Sequence, residues 1–175
     1  MSNELENPFG LEVVSVRLNK EATMYSQVPM DTSKKVVERL AQEVADLDRE
    51  VLLVINMDAK LAPINLNLVS IGTLNAALAS PREMLKASIL SNACGIILLH
   101  NHPSGDITPS PLDQALTKRM ETICDYVGIE LLDHIIVGTD GISYFSFAEQ
   151  KLLQGKVQDK KQEELIEAAE RPKVR

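Results

Sequence analysis

The chain has 175 residues, of which 45% are apolar, and a formal net charge of −7. It is the size of a single domain with enough apolar side chains for a core, and its acidity argues against non-specific nucleic-acid binding, which depends on phosphate neutralisation by Lys and Arg. The N-terminus lacks the order of a signal peptide and no apolar stretch approaches ~18 residues, so we expect a cytoplasmic protein that does not span a membrane.

The N-terminal third predicts a strand followed by a helix. Residues 1–10 are polar and are expected to be flexible, whereas 11–18 alternate between apolar and polar side chains as a strand does. A helix is expected to begin at 31–33, where three consecutive residues suit an N-cap. Its apolar positions follow helical spacing as far as Leu47.

A β-hairpin is predicted next. Residues 50–57 form a nearly continuous apolar run, typical of a strand covered on both faces. Residues 58–60 suit a turn. In the returning strand, 61–71, Asn65 and Asn67 alternate with apolar side chains.

The rest of the chain predicts two helices and three strands. A helix at 80–90 precedes a short, very apolar strand at 95–99. A long helix at 110–127 follows a loop that contains Pro and Gly. The strands at 129–137 and 142–147 are joined by a cluster of turn-forming residues.

These elements, in the order β-α-ββ-α-β-α-β-β, predict one α/β domain in which helices pack on a mixed sheet. We place the domain at 11–148 and expect 149–175 to be a charged tail, helical or disordered. Cys94 and Cys124 lie in apolar runs and belong to no Cys-x-x-Cys pair. Both are expected to be small buried hydrophobes, as suits a reducing compartment.

One stretch indicates metal chemistry. Residues i and i+2 at the end of a strand project to the same side, so His100 and His102 can direct two imidazoles at one point. Asp113, at the start of the next helix, can return to the same point across the loop. Two His and one carboxylate form a zinc site with a fourth position open to water, which is typical of a catalytic site.

Two further residues can complete such a site, and each has a simpler interpretation. Glu50 can act as a general base beside the metal, although a Glu that opens a strand is more often a solvated charge. Ser110 can donate its hydroxyl to an oxyanion. Yet a Ser-Pro-x-acid run is also a good helix start, and 80–83 repeats that pattern without any His pair. His134, beside Asp133, is interpreted as a structural histidine.

Three segments resemble the JAMM (MPN+) metalloprotease superfamily, most closely its bacterial RadC-like branch. They are SIGTLNAALASPRE at 70–83, LLHNHPSGDITPSPLD at 98–113 and LLDHIIVG at 131–138. The similarity runs over roughly 11–148. RadC proteins commonly carry an N-terminal helix-hairpin-helix region associated with DNA contact, and we do not expect such a region in these 175 residues.

The resemblance implies a mixed sheet sandwiched by helices, a layered architecture like that of cytidine deaminases. It implies that His100, His102 and Asp113 bind Zn²⁺, that Ser110 serves the oxyanion, and that Glu50 takes the place of the superfamily's upstream glutamate. All five positions are filled, unlike in metal-free scaffold domains.

Three functions follow as hypotheses. The leading one is a zinc-dependent peptidase or isopeptidase acting on a peptide or protein. A metal-dependent nuclease or phosphodiesterase is an alternative that the acidic charge does not favour. The third is a non-catalytic binding module stabilised by metal.

Overall fold

The structure, a computed structural model, describes residues 15, 17–19, 21, 30–72 and 80–154. Within them lie three helices and five strands, in the order α1 (Ser33–Ala45), β1 (Val51–Met57), β2 (Pro63–Ile71), α2 (Pro81–Leu90), β3 (Gly95–Asn101), α3 (Pro111–Val127), β4 (Glu130–Val137) and β5 (Tyr144–Ser146).

The strands form one mixed sheet in the order β2-β1-β3-β4-β5. β1 is antiparallel to both β2 and β3, β3 is parallel to β4, and β4 is antiparallel to β5. Apolar side chains fill both faces of the central strands: one buried cluster joins the sheet to α1, and another joins it to α2 and α3. The predicted mixed sheet with helices packed on it is therefore confirmed.

The helix ends follow local rules. Thr32 caps α1 by accepting a hydrogen bond from the Lys35 N–H, as the run of cap residues predicted. α1 ends at Ala45, so Leu47 lies beyond the helix and is exposed, contrary to the predicted apolar face. α3 ends at Val127 and is capped by Gly128, which adopts the left-handed conformation (φ 71°) that glycine accommodates at a helix C-terminus.

β2 is an edge strand, and its two faces differ. Its asparagines face α2, where Asn65 donates a hydrogen bond to the Ser91 hydroxyl. Its apolar row points to the opposite face, where Ile64, Leu66 and Leu68 are 37–50% exposed. The predicted alternation is present, with the polar row turned towards a helix.

Some sequence expectations require correction or lie outside the described residues. The strand predicted at 11–18 is mostly outside them, and its described residues 15, 17 and 18 belong to no strand. β5 is shorter than predicted because the Asp140 carboxylate accepts the N–H groups of Ile142 and Ser143 in a turn. Residues 1–10 and 155–175 are also outside the described part.

The two cysteines differ. Cys124 is buried, and burial raises the pKa of its thiol to about 12, so it behaves as the predicted small hydrophobe. Cys94, in the turn before β3, is exposed, so the prediction of burial is wrong there. Among the described residues, no helix combines the length and the apolar character needed to cross a membrane.

Candidate metal centre

The two predicted histidines and the aspartate meet where β3 ends and α3 begins. His100 is the last residue but one of β3 and is fully buried, while His102 directly follows the strand and is half-buried. Asp113 lies in the first turn of α3 and is 2% exposed. In the part of the chain that the structure describes, these are the three side chains grouped closely enough to hold a metal ion.

The distances within this group are close to those between the ligands of a small tetrahedral cation, with the two histidines measured to different oxygens of Asp113. The two histidine Nε2 atoms are 3.1 Å apart, the His100 Nε2 is 3.3 Å from Asp113 Oδ1, and the His102 Nε2 is 3.5 Å from Asp113 Oδ2. A tetrahedron whose ligands lie ~2.0 Å from its centre has edges of ~3.3 Å. Nitrogen and carboxylate donors are also the ligand types that zinc accepts, so the residues fit the metal.

Asp113 belongs to a helix cap as well as to this group. Its Oδ2 accepts the Ser110 N–H at 2.7 Å, and the Ser110 hydroxyl accepts the Asp113 N–H at 3.2 Å. This reciprocal capping box holds the carboxylate so that its Oδ1 faces His100. The capping interpretation of the sequence and the site interpretation are thus compatible, because one carboxylate has two oxygens. At α2, by contrast, Ser80 makes no side-chain cap bond.

The loop after β3 orients His102. Its Nδ1 donates to the Asp106 carbonyl at 2.6 Å, which leaves Nε2 of the neutral ring without a proton. Gly105 makes the turn with a positive φ of 78°, and a Cβ there would meet the Thr139 hydroxyl at 3.0 Å. The backbone of this loop therefore determines which nitrogen His102 presents.

The charges of the group are coupled. Burial by itself would raise the pKa of Asp113, but the interactions of its carboxylate with the His100 and His102 rings outweigh it and hold that pKa well below its usual value. The Asp113 carboxylate in turn raises the pKa of His102, against the effect of burial, and the charge of Glu50 adds to the rise. A positive charge among these side chains is thus favoured electrostatically.

Glu50 directly precedes β1 instead of opening it, and it is half-buried. Its carbonyl accepts the Gly72 N–H at 2.8 Å. The fully buried Asn101 side chain bonds the backbone on both sides of it, donating to the Arg49 carbonyl at 3.1 Å and accepting the Val51 N–H at 2.8 Å. The backbone on both sides of Glu50 is therefore held by Asn101, the residue that separates the two histidines.

His134 was interpreted as a structural histidine, and the structure places it against the group. Its Nε2 is 2.9 Å from the His100 Nδ1, and its Nδ1 is 2.7 Å from the Thr117 hydroxyl. Burial lowers its pKa, followed by the like charge of His100. Its neighbour Asp133 points elsewhere and accepts hydrogen bonds from the hydroxyls of Ser33 and Ser146. The signal in the sequence that could have indicated this role is the pair of polar residues, Asp133 and His134, flanked by apolar residues in β4.

Comparison with known proteins finds a matching family model and related proteins. The family model described as RadC-like JAB domain matches residues 30–152. The chain is 40% identical over 134 residues to a UPF0758 protein of Thermotoga maritima, with 77% of this chain and 59% of that protein covered. It is 44% identical over 124 residues to a UPF0758 protein of Pelodictyon phaeoclathratiforme, with 71% and 55% covered. It thus spans somewhat over half the length of these relatives.

Proposed function

We propose that this chain, which belongs to the RadC-like JAB domain family, is a zinc-dependent hydrolase of peptide or isopeptide bonds. Membership of that family, together with a His-His-Asp group that could hold a metal ion, suggests a metal-dependent hydrolase of the JAMM type. The observation that carries the proposal is the convergence of His100, His102 and Asp113, whose ligand atoms all lie within 4.8 Å of one another.

The three side chains would act as the ligands. Zinc held by them would supply a Lewis acid that polarises an amide carbonyl and activates water. His100 and His102 present Nε2, and Asp113 presents the carboxylate oxygen that its helix cap leaves available. Since the protein supplies three ligands, a tetrahedral site keeps one position for water or substrate.

Glu50 and Ser110 would act on the substrate side. Glu50 takes a proton from the attacking water and delivers it to the leaving amine, so its carboxylate ends the cycle unchanged. The Ser110 hydroxyl uses a lone pair to accept the Asp113 N–H, so its own proton can be donated to the carbonyl oxygen that gains negative charge.

A peptide or protein fits this chain better than a nucleic acid as substrate. The net charge of −7 repels phosphates, and binding a nucleic-acid strand depends on cationic side chains. The two alternative functions, a nuclease and a binding module that uses the metal only for stability, are therefore distinguished by the results of the test.

The test compares the wild type with Glu50→Gln, and Glu83→Gln serves as a control for an exposed glutamate paired with Lys86. Labelled peptide, isopeptide and single-stranded DNA panels are incubated with and without a chelator. We expect chelator-sensitive peptide or isopeptide cleavage by the wild type and the control. Glu50→Gln should bind one equivalent of zinc without turnover.

Other results would contradict the proposal. Cleavage that survives the chelator excludes a metal mechanism, and turnover by Glu50→Gln excludes Glu50 as the base. Cleavage of DNA alone identifies a nuclease. No cleavage by a zinc-loaded wild type favours the binding module.

A further inference from the structure

His134 provides none of the three proposed ligand atoms, yet it is fully buried against one of the ligands. We propose that Thr117 and His134 form a hydrogen-bond chain of fixed direction that holds His100 in the one neutral tautomer able to bind a metal ion. This inference rests on the proposed metal centre, and it assigns a positioning role to two residues outside the ligand set.

The direction of the chain is set at its first bond. The Thr117 hydroxyl lies 2.7 Å from the carbonyl oxygen of Asp113, one helical turn earlier. A carbonyl oxygen can only accept a hydrogen bond, so the Thr117 hydroxyl must donate its single proton to it. Its oxygen can then only accept from the ring of His134, whose Nδ1 lies 2.7 Å away. His134 therefore carries a proton on Nδ1.

The next bond transmits this direction to the ligand. The ring of His134 stacks on Phe147, with 5.0 Å between centroids and 9° between planes. Within the described residues, its nitrogens bond only Thr117 and His100, so no carboxylate accepts a hydrogen bond from the ring to offset the cost of burying a charge. A neutral His134 protonated on Nδ1 has a bare Nε2, which accepts from His100. The proton of His100 is thus on Nδ1.

The consequence is a bare Nε2 on His100, directed at His102 and Asp113. His102 reaches the same state independently, through its bond to the Asp106 carbonyl. If the chain ran in the opposite direction, His100 would carry a proton on Nε2 and bond Asp113 instead of a metal. Asp113 would thus contribute twice, with its carboxylate as a ligand and with its carbonyl as the origin of the chain.

α3 contains a matched control. Thr122 makes the same bond to the carbonyl four residues earlier, that of Lys118, but it is exposed and its hydroxyl bonds no histidine. Thr117→Val removes the hydroxyl at nearly constant volume, Thr117→Ser keeps it, and Thr122→Val removes the equivalent hydroxyl elsewhere on the helix. Only the first substitution removes the origin of the chain.

Two measurements test the proposal. Zinc affinity, determined by competition with a chromophoric chelator, should fall by about 10- to 100-fold in Thr117→Val, the range found when groups that orient metal ligands are removed. Thr117→Ser and Thr122→Val should stay close to the wild type. Long-range ¹H–¹⁵N NMR of metal-free and zinc-loaded wild type should show the His134 proton on Nδ1 and a bare Nε2. Thr117→Val should shift that proton partly to Nε2.

The results separate this inference from the proposed function. A wild-type His134 with its proton on Nε2 would overturn the inference, even if Thr117→Val failed to fold. So would equal zinc affinities of Thr117→Val and Thr122→Val. A wild type that takes up no zinc would overturn the metal centre instead, and the ring pattern of His134 in the metal-free protein would then decide the direction of the chain.

Discussion

Replacing Asp113 by Asn should remove zinc binding while it leaves the metal-free fold nearly intact. The Asn carbonyl can take the place of Oδ2 and accept the Ser110 N–H, so the helix cap is retained. The Asn amide then replaces Oδ1 and can donate to the His100 Nε2, 3.3 Å away in the wild type. The same substitution thus exchanges a ligand for a hydrogen-bond donor at the proposed metal centre.

The expected effect on the melting temperature follows from the linkage between zinc binding and folding. A ligand at 100 times its dissociation constant stabilises the folded state by about 2.7 kcal/mol. For a domain of roughly 120 residues, each kcal/mol raises the melting temperature by roughly 3–6 °C, so zinc should raise that of the wild type by roughly 8–16 °C. Asp113→Asn should show almost none of this rise. Without metal it should melt close to the wild type, because losing a cap entirely costs only about 1 kcal/mol.

Calorimetric melting with added zinc or chelator, together with metal counting by mass spectrometry, measures both quantities. Glu83→Gln is the matched control, since Glu83 holds the corresponding position on α2 and makes an exposed ion pair with Lys86. It should retain the full rise. If Asp113→Asn bound stoichiometric zinc and showed the same rise as the control, Asp113 would not be a ligand.

Substitutions at two other buried residues, Asn101 and Asp133, test how the structure around the site is held. Asn101→Ala leaves the buried Val51 N–H without its acceptor, which should lower the free energy of unfolding, measured in urea, by about 1–3 kcal/mol. The Asn101→Ala variant should still bind zinc, but any turnover should fall by about 100-fold, because the Glu50 carboxylate moves. Asn56→Ala, at the other end of β1, should not change turnover, and equal rates for the two would contradict this role. Burial raises the pKa of Asp133, so its surroundings disfavour the charged form. Asp133→Asn should therefore lower the free energy of unfolding by less than about 1 kcal/mol, because the Ser33 and Ser146 hydroxyls can rotate and accept from the amide. Asp133→Leu leaves buried donors unpaired and should cost at least about 3 kcal/mol; similar unfolding midpoints for the two variants would be inconsistent with this explanation.

Sequence alone determined the features that depend on local periodicity and spacing. The apolar runs predicted β1 and β3, helical spacing predicted α1, and cap residues predicted where α1 and α3 begin. The i, i+2 spacing of His100 and His102 predicted that their rings would project to one side, because a strand alternates its side chains. Each of these features needs only neighbours in the chain, so it can be predicted without the fold.

Tertiary structure alone decided how distant residues meet. His100 and His134 are 34 residues apart and touch because β3 and β4 pair in parallel in one particular register. Asn101 reaches the backbone around Glu50 because β1 and β3 are antiparallel and β1 begins opposite the end of β3. Strand register and the placement of α3 are set by packing of the whole core, and a one-residue change in register would send these side chains to the other face of the sheet.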